Sequence, residues 1–241
     1  MALFAMADLH LSLGCDKPMD VFGGQWVDYV KKLDEYWNYM VDPDDTVVVP
    51  GDISWAMKLE EGEPDFKHIN ELNGKKIFIR GNHDYWWNTP SKLRKFFSEK
   101  KFDSISVLQN EAVFAEGFVI CGSRGWLCEN KMSEEDIKIL NREAERMQLA
   151  LKDAKRLRDE KEAETGIAPE ILVFMHYPLT QLQVVRSNPI VEVIKNYDVS
   201  RVFYGHLHCY PESRLVKNVS GLEHILISSD HLRFTPYRIS Q

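Results

Sequence analysis

The chain is 241 residues long and carries 30 basic against 37 acidic side chains, a net charge of −7. With 44% hydrophobic residues and an aromatic set of 12 Phe, 9 Tyr and 6 Trp it can build a large core, which excludes a disordered chain and suits one domain over residues 1–241. The acidic balance disfavours a protein that holds nucleic acid on a broad basic surface, and no apolar run reaches the ~20 residues a membrane span needs.

In chain order, the apolar runs predict a first strand over Ala2–Ala7. A helix follows over Gln25–Met40, where Trp26, Val30, Leu33, Trp37 and Met40 recur on one face at helical spacing. Strands are expected at Thr46–Val49 and Lys76–Arg80, and a helix at Pro90–Lys100 opens with proline in its first turn. Ile105–Leu108, Ala112–Ala115 and Phe118–Gly122 read as a meander; Ile171–Met175, Arg201–Tyr204 and His224–Ser228 read as further strands. Most are continuous apolar runs, the pattern of strands buried on both faces. Such alternation implies an α/β layered fold with helices outside.

Residues 131–165 break this rhythm as a helical insertion. Ser133, with Asp136 three positions on, marks a helix start. Ile137, Leu140, Ala144, Met147, Leu151 and Ala154 then form an a/d stripe. Left in water, its larger members would each forfeit about 1.5–3 kcal/mol of burial. The stripe is therefore expected to seat on another helix, foremost that of a second subunit, giving a homo-oligomer through residues 133–164. The plainer alternative is a helix lying along its own domain as a wall or lid.

The chemistry lies just past the strand ends. Asp8-Leu-His10 follows the first strand, Gly51-Asp52 the second and Gly81-Asn82-His83-Asp84 the third. His176 follows Ile171–Met175, and Gly205-His206-Leu207-His208 follows Arg201–Tyr204. Singly, Asp8-x-His10 or Gly51-Asp52 reads as a turn or cap. The tetrapeptide is more specific: at roughly 5% per residue type, a fixed four-residue string arises in about one chain in a thousand at this length. Ligands of open α/β sheets collect at the carboxyl ends of strands, so five such endings can converge. Asp8, His10, Asp52, Asn82, His176, His206 and His208 together offer the carboxylate, amide and imidazole donors that a pair of divalent ions needs. Two ions about 3.5–4 Å apart can activate a bridging water and grip phosphoryl oxygens. His83 and Asp84 remain, a pair suited to general acid catalysis.

The ordered set D-x-H, G-D, G-N-H-D, H, G-H-x-H resembles the calcineurin-like metallophosphoesterase superfamily, and more narrowly a small bacterial phosphohydrolase branch of it. The motifs run from Asp8 to His208 with none missing. The resemblance implies a four-layer α/β/β/α sandwich of two mixed sheets, outside whose minimal core the insertion lies. It implies one metal on Asp8, His10, Asp52 and His208 and another on Asp52, Asn82, His176 and His206, with Asp52 bridging. It implies His83 as proton donor to the leaving group and Asp84 as its partner. The ions would be manganese, iron or zinc, the first two favoured.

Arg124, in Ser123-Arg-Gly-Trp126 after a strand, is a candidate phosphate contact. Trp55, Tyr85, Trp86 and Trp87 sit just past the metal motifs and form either a stacking rim or core; His68, His224 and His231 carry no motif and read as structural. Four separated cysteines without a C-x-x-C pair, and an N-terminus without a charged leader region, indicate reduced thiols in a cytoplasmic protein. The resulting expectation is a dinuclear metal-dependent hydrolase of small phosphoesters, monoester or diester, with no membrane role. A non-catalytic metal-binding scaffold of the same fold and a nuclease are the alternatives.

Overall fold

In the computed structural model, which describes residues 1–181 and 188–240, the parallel strands expected from the apolar runs divide between two sheets. The first half contains β1 (Leu3–Ala5), α1 (Tyr29–Met40), β2 (Thr46–Pro50), α2 (Glu63–Glu71), β3 (Lys75–Ile79), α3 (Pro90–Glu99) and β4 (Ile105–Val107). The second contains β5 (Ala112–Ala115), β6 (Phe118–Ser123), α4 (Glu134–Thr165), β7 (Ile171–Met175), α5 (Pro189–Ile194), β8 (Val199–Tyr204), β9 (Asn218–Val219), β10 (Leu222–Leu226) and β11 (Tyr237–Ile239). One sheet has the order β11-β1-β2-β3-β4, all parallel except β11. The other has the order β5-β6-β7-β8-β10-β9, parallel within and antiparallel at both edges.

Period-two side chains give each sheet two apolar faces. Leu3, Ala5, Ile77 and Ile79 face Ile120, Leu172, Phe174 and Phe203 of the other sheet. Phe4, Val47, Val49 and Phe78 point outward under Leu33 and Trp37 of α1, Phe66 of α2 and Leu93 and Phe97 of α3. On the far side Val119, Cys121, Val173 and Val202 lie under α4 and α5. The layers are thus α/β/β/α. Among the described residues no helix is long and apolar enough to cross a membrane.

The insertion begins as expected: the Ser133 hydroxyl caps α4 by accepting from the Asp136 N–H at 3.1 Å. Its stripe takes the plainer of the two courses expected for it, packing on its own domain. Leu140, Ala144, Met147, Leu151 and Ala154 are buried against the chain's own second sheet, and only Ile137, 45% exposed, stays in solvent. The outer face of β6 and β7 needs a cover, and the stripe meets that need within the chain. Helix α1 starts four residues later than Gln25, because two 3₁₀ turns at Met19–Phe22 and Gly24–Trp26 and a left-handed Asp28 precede it.

Candidate metal centre

Because β1, β2, β3, β7 and β8 run parallel within their sheets, their carboxyl ends meet at one edge of the sandwich. The loops leaving it are tightly bent. Asp8, His10, Asp52 and His206 all have positive φ (62°, 47°, 51° and 70°), a left-handed conformation that costs of order 1–3 kcal/mol per non-glycine residue and clusters at functional sites. The loops are also bonded to each other: Asp8 N–H donates to Gly51 O and His10 N–H to Asp52 O, both at 2.9 Å.

All seven donor residues come together. His176 Nε2 lies 2.6 Å from Asn82 Oδ1 and 3.4 Å from Asp52 Oδ2, and His206 Nδ1 lies 2.8 Å from the same Asn82 oxygen. His10 Nε2 is 3.1 Å from His208 Nε2 and 3.7 Å from Asp52 Oδ2; Asp8 Oδ1 is 3.7 Å from His208 Nε2 and 3.8 Å from His176 Nδ1. Asp52 therefore faces both halves, and Asp8 likewise belongs to two clusters able to hold an ion: Asp8–His10–His208 and Asp8–Asp52–His176.

Tautomers strengthen the case for cations. His176 Nδ1–H donates to Pro50 O at 3.2 Å, so that ring turns an Nε2 lone pair inward, and His208 Nδ1–H donates to Asp230 Oδ1 at 2.9 Å, which aims its Nε2 inward as well. There His176 Nε2 meets Asn82 Oδ1 and Asp52 Oδ2, an arrangement that positive charge between them favours. His10 has no such outer partner among the described residues; its Nδ1 is buried unbonded, and the ring is held by stacking on Trp55 at 4.7 Å.

Electrostatics agree. Burial lifts the Asp8 carboxyl to about 8, and burial also raises Asp52. Burial drives His176 and His206 down to about 3 and His10 well below its usual range. On His208 burial also opposes charge, but the Asp230 hydrogen bond and the Asp8 carboxylate outweigh it and lift the ring to about 9. Carboxylates reluctant to ionise beside three imidazoles (His10, His176 and His206) reluctant to protonate form a site that a divalent cation would complete, so the donor set fits metal binding.

His83 sits at the mouth. Its N–H donates to Asp52 Oδ1 at 2.8 Å and its half-buried ring tilts against Trp55, 4.4 Å between centroids. Burial lowers its pKa, with the Asp52 carboxylate opposing. Asp84, expected as its carboxylate partner, makes no hydrogen bond to the ring. It instead accepts from the N–H groups of Gly81, Asp52 and Ile53 (2.7, 3.0 and 2.9 Å) and from Trp86 Nε1, stapling two metal-motif loops together.

A cavity of about 270 Å³ opens between His10, Asp52, His83 and His208, walled by Trp26 and Trp55. Lys17 caps the Trp55 ring at 3.6 Å. Trp55 thus belongs to the site, whereas Trp86 is core against Phe66, Trp87 bonds Gln109 and Tyr85 is exposed. Arg124 stacks on Trp126 at 4.7 Å and accepts through its carbonyl from the His176 and Tyr177 N–H groups. His68 pairs with Asp34, and His224 stacks on Tyr204; both are structural. Sequence reasoning missed Asp230 and the place of Trp26 in the site. Asp230 lies 22 residues from its partner His208 in no motif, and the spacing of Trp26 assigns it to a helical face that in fact begins beyond it.

Among solved structures, a phosphopantetheinyl hydrolase (PptH) from Mycobacterium tuberculosis is similar at 14% identity and TM-score 0.52, covering 99% of this chain and 95% of that one. A protein of unknown function, AQ665 from Aquifex aeolicus, is similar at 16% identity and TM-score 0.50, covering 98% and 95%. TT1561 of Thermus thermophilus is similar at 14% identity and TM-score 0.50, covering 92% and 87%. These likenesses concern the fold. No curated protein sequence matches the chain. Residues 1–210 match the profile of the calcineurin-like phosphoesterases, the same stretch that carries every inward-facing donor of the centre, and the chain belongs to that family of metal-dependent phosphoester hydrolases.

Proposed function

We propose that residues 1–241 act as a single metallophosphoesterase domain that hydrolyses small phosphoesters at a dinuclear centre. Asp8, His10, Asp52 and His208 hold one ion in this reading, and Asp52, Asn82, His176 and His206 hold the other. The observation that carries it is the set of Nε2 and carboxylate lone pairs facing one another across a few ångströms. Two divalent ions held there supply Lewis acidity toward the phosphoryl oxygens and toward a water. Manganese, iron and zinc all accept this mixed N/O donor set.

The remaining work falls to the chain's own groups. With Asn82 Oδ1 turned to His176 and His206, its amide hydrogens are free to bond a phosphoryl oxygen as charge develops. His83 donates its proton to the departing oxygen, oriented by Trp55 and by its own backbone bond to Asp52. Arg124 adds a cation beside the His176 half. Trp26 and Trp55 give the leaving group an apolar wall and exclude water. The net charge of −7 supports a small substrate over a nucleic acid, and four free cysteines support a reducing, cytoplasmic setting.

The test is hydrolysis by metal-reconstituted protein of a nitrophenyl phosphate monoester, the corresponding diester and an alkyl phosphate. At least one aryl ester should turn over. His83→Asn should keep its metal yet slow the alkyl ester by about 10²–10⁴-fold, the usual worth of a general acid, with a smaller loss on aryl esters that leave unprotonated. Metal-loaded wild type that turns over none of the three would refute the hydrolase reading; equal slowing of both ester types would remove His83 from the acid role.

A further inference from the structure

Beside the His176 half of the centre lies a second, smaller cavity of about 50 Å³, several times the space one water needs. It opens where β3 and β6 end, at the same sheet edge as the metal donors. Arg80 enters it two residues before Asn82, Arg124 from the loop whose carbonyl receives the His176 N–H, and Arg146 from the insertion helix α4. Among the described residues one carboxylate pairs with two of these cations. Glu143, fully buried on α4, accepts from Arg146 at 2.6 Å and lies 3.7 Å from Arg124. Arg80 has no carboxylate or hydrogen-bond partner among the described residues, and the Nε atoms of Arg80 and Arg124 are both buried and unbonded. Neutral donors complete the lining. Gln109 uses its oxygen to accept from Trp87, leaving its amide hydrogens, and Ser123 Oγ accepts from the Gly125 N–H, leaving its own O–H to donate.

Buried guanidinium N–H groups without acceptors are costly, and although Glu143 Oε2 is also buried and unbonded, an oxyanion in the cavity would supply acceptors to the Arg80 and Arg124 Nε–H groups. We propose that Arg80, Arg124 and Arg146 form an oxyanion subsite for a second phosphoryl group of the substrate, so that the preferred substrates carry two phosphoryl groups, one attacked at the metals and one held by the arginines. This rests on the hydrolase reading and gives the insertion a part in substrate binding, since α4 brings Arg146 to the lining of this cavity and Glu143 beside it as counter-ion.

Two arms test it. In the first, inorganic phosphate is titrated calorimetrically into chelator-treated protein, where no metal offers it a site. Wild type should bind one phosphate, and Arg80→Gln should weaken it by about tenfold or more, the worth of one charge-assisted fork. Because Arg80 has no partner to strand, Arg80→Gln should melt like wild type; Arg146→Lys, which keeps the charge but not the fork, should weaken binding by a smaller factor. No binding up to about 10 mM, or equal binding by wild type and Arg80→Gln, overturns the subsite. In the second arm, metal-loaded protein is given a nucleoside 3′,5′-bisphosphate and the matching 5′-monophosphate. Arg80→Gln should raise KM for the bisphosphate about tenfold more than for the monophosphate. An equal change for both means that Arg80 touches the reacting phosphoryl group and overturns the second-phosphate assignment. If wild type hydrolyses no ester at all, the hydrolase reading fails and the metal-free titration alone decides the subsite.

Discussion

At the residue scale the centre depends on carboxylates that touch no ion site directly. Asp230 accepts from His208 Nδ1 at 2.9 Å and from the Cys209 N–H at 2.7 Å, fixing both the tautomer and the angle of the ring. On the proposed dinuclear reading, Asp230→Ala should therefore weaken binding of the ion on His208 by about 10–100-fold, read by competition with a chromogenic chelator, with the other ion less affected. The same pair gives a pH signature in metal-free protein. His208 is raised from 6.5 to about 9, so its stabilisation is present in full below about 6.5 and is lost as pH climbs through about 9. The stability deficit of Asp230→Ala in denaturant should accordingly be larger at about pH 6 than at about pH 9.5. A deficit independent of pH would mean that Asp230 acts through Cys209 alone.

At the element scale α4 is the informative case. Its cap, its stripe and its Gly166 terminus at φ 76° are all local features, and all are written in consecutive residues. The surface on which the stripe seats is not local. Met147 is fully buried between α4 and the second sheet, so Met147→Ala should cost about 2–5 kcal/mol in urea denaturation without changing the mass seen by light scattering. A loss of mass with little loss of stability would return the stripe to an intersubunit role. Two other elements, α2 and α5, each carry proline in the first turn, and α5 has an Asn188 cap accepting from Ile190 at 2.9 Å. Their shortness, nine and six residues, left too few apolar repeats for the helical period to stand out.

At the scale of the whole molecule, function depends on how closely the two sheets bring their loops. Gly51 has φ +95°, and a β-carbon there would come within 2.6 Å of both the Gly81 Cα and His176 Nδ1. No side chain fits at that meeting of β2, β3 and β7. Gly51→Ala should therefore separate Asp52 from Asn82 and His176, lowering metal content well below that of wild type and destabilising the fold by at least the ~1–3 kcal/mol of backbone strain. Metal analysis and thermal melting check both; a fully metallated Gly51→Ala protein would show that the loops have slack.

The ordered Asp, Asn and His endings, their place after parallel strands and the layered α/β class were all legible in the chain. Apolar runs and turn residues are local properties, and parallel strands within one sheet put their carboxyl ends together, whereas bringing the two sheets' ends to one edge depends on how the sheets pack. The tertiary structure alone decided the partners: Asp84 on backbone N–H groups rather than on His83, Asp230 behind His208, the stripe of α4 against its own sheet, and three arginines around one cavity. Most of these join residues 20 or more positions apart, where no spacing rule links the two ends and only the packing of strands, loops and helices sets the distance.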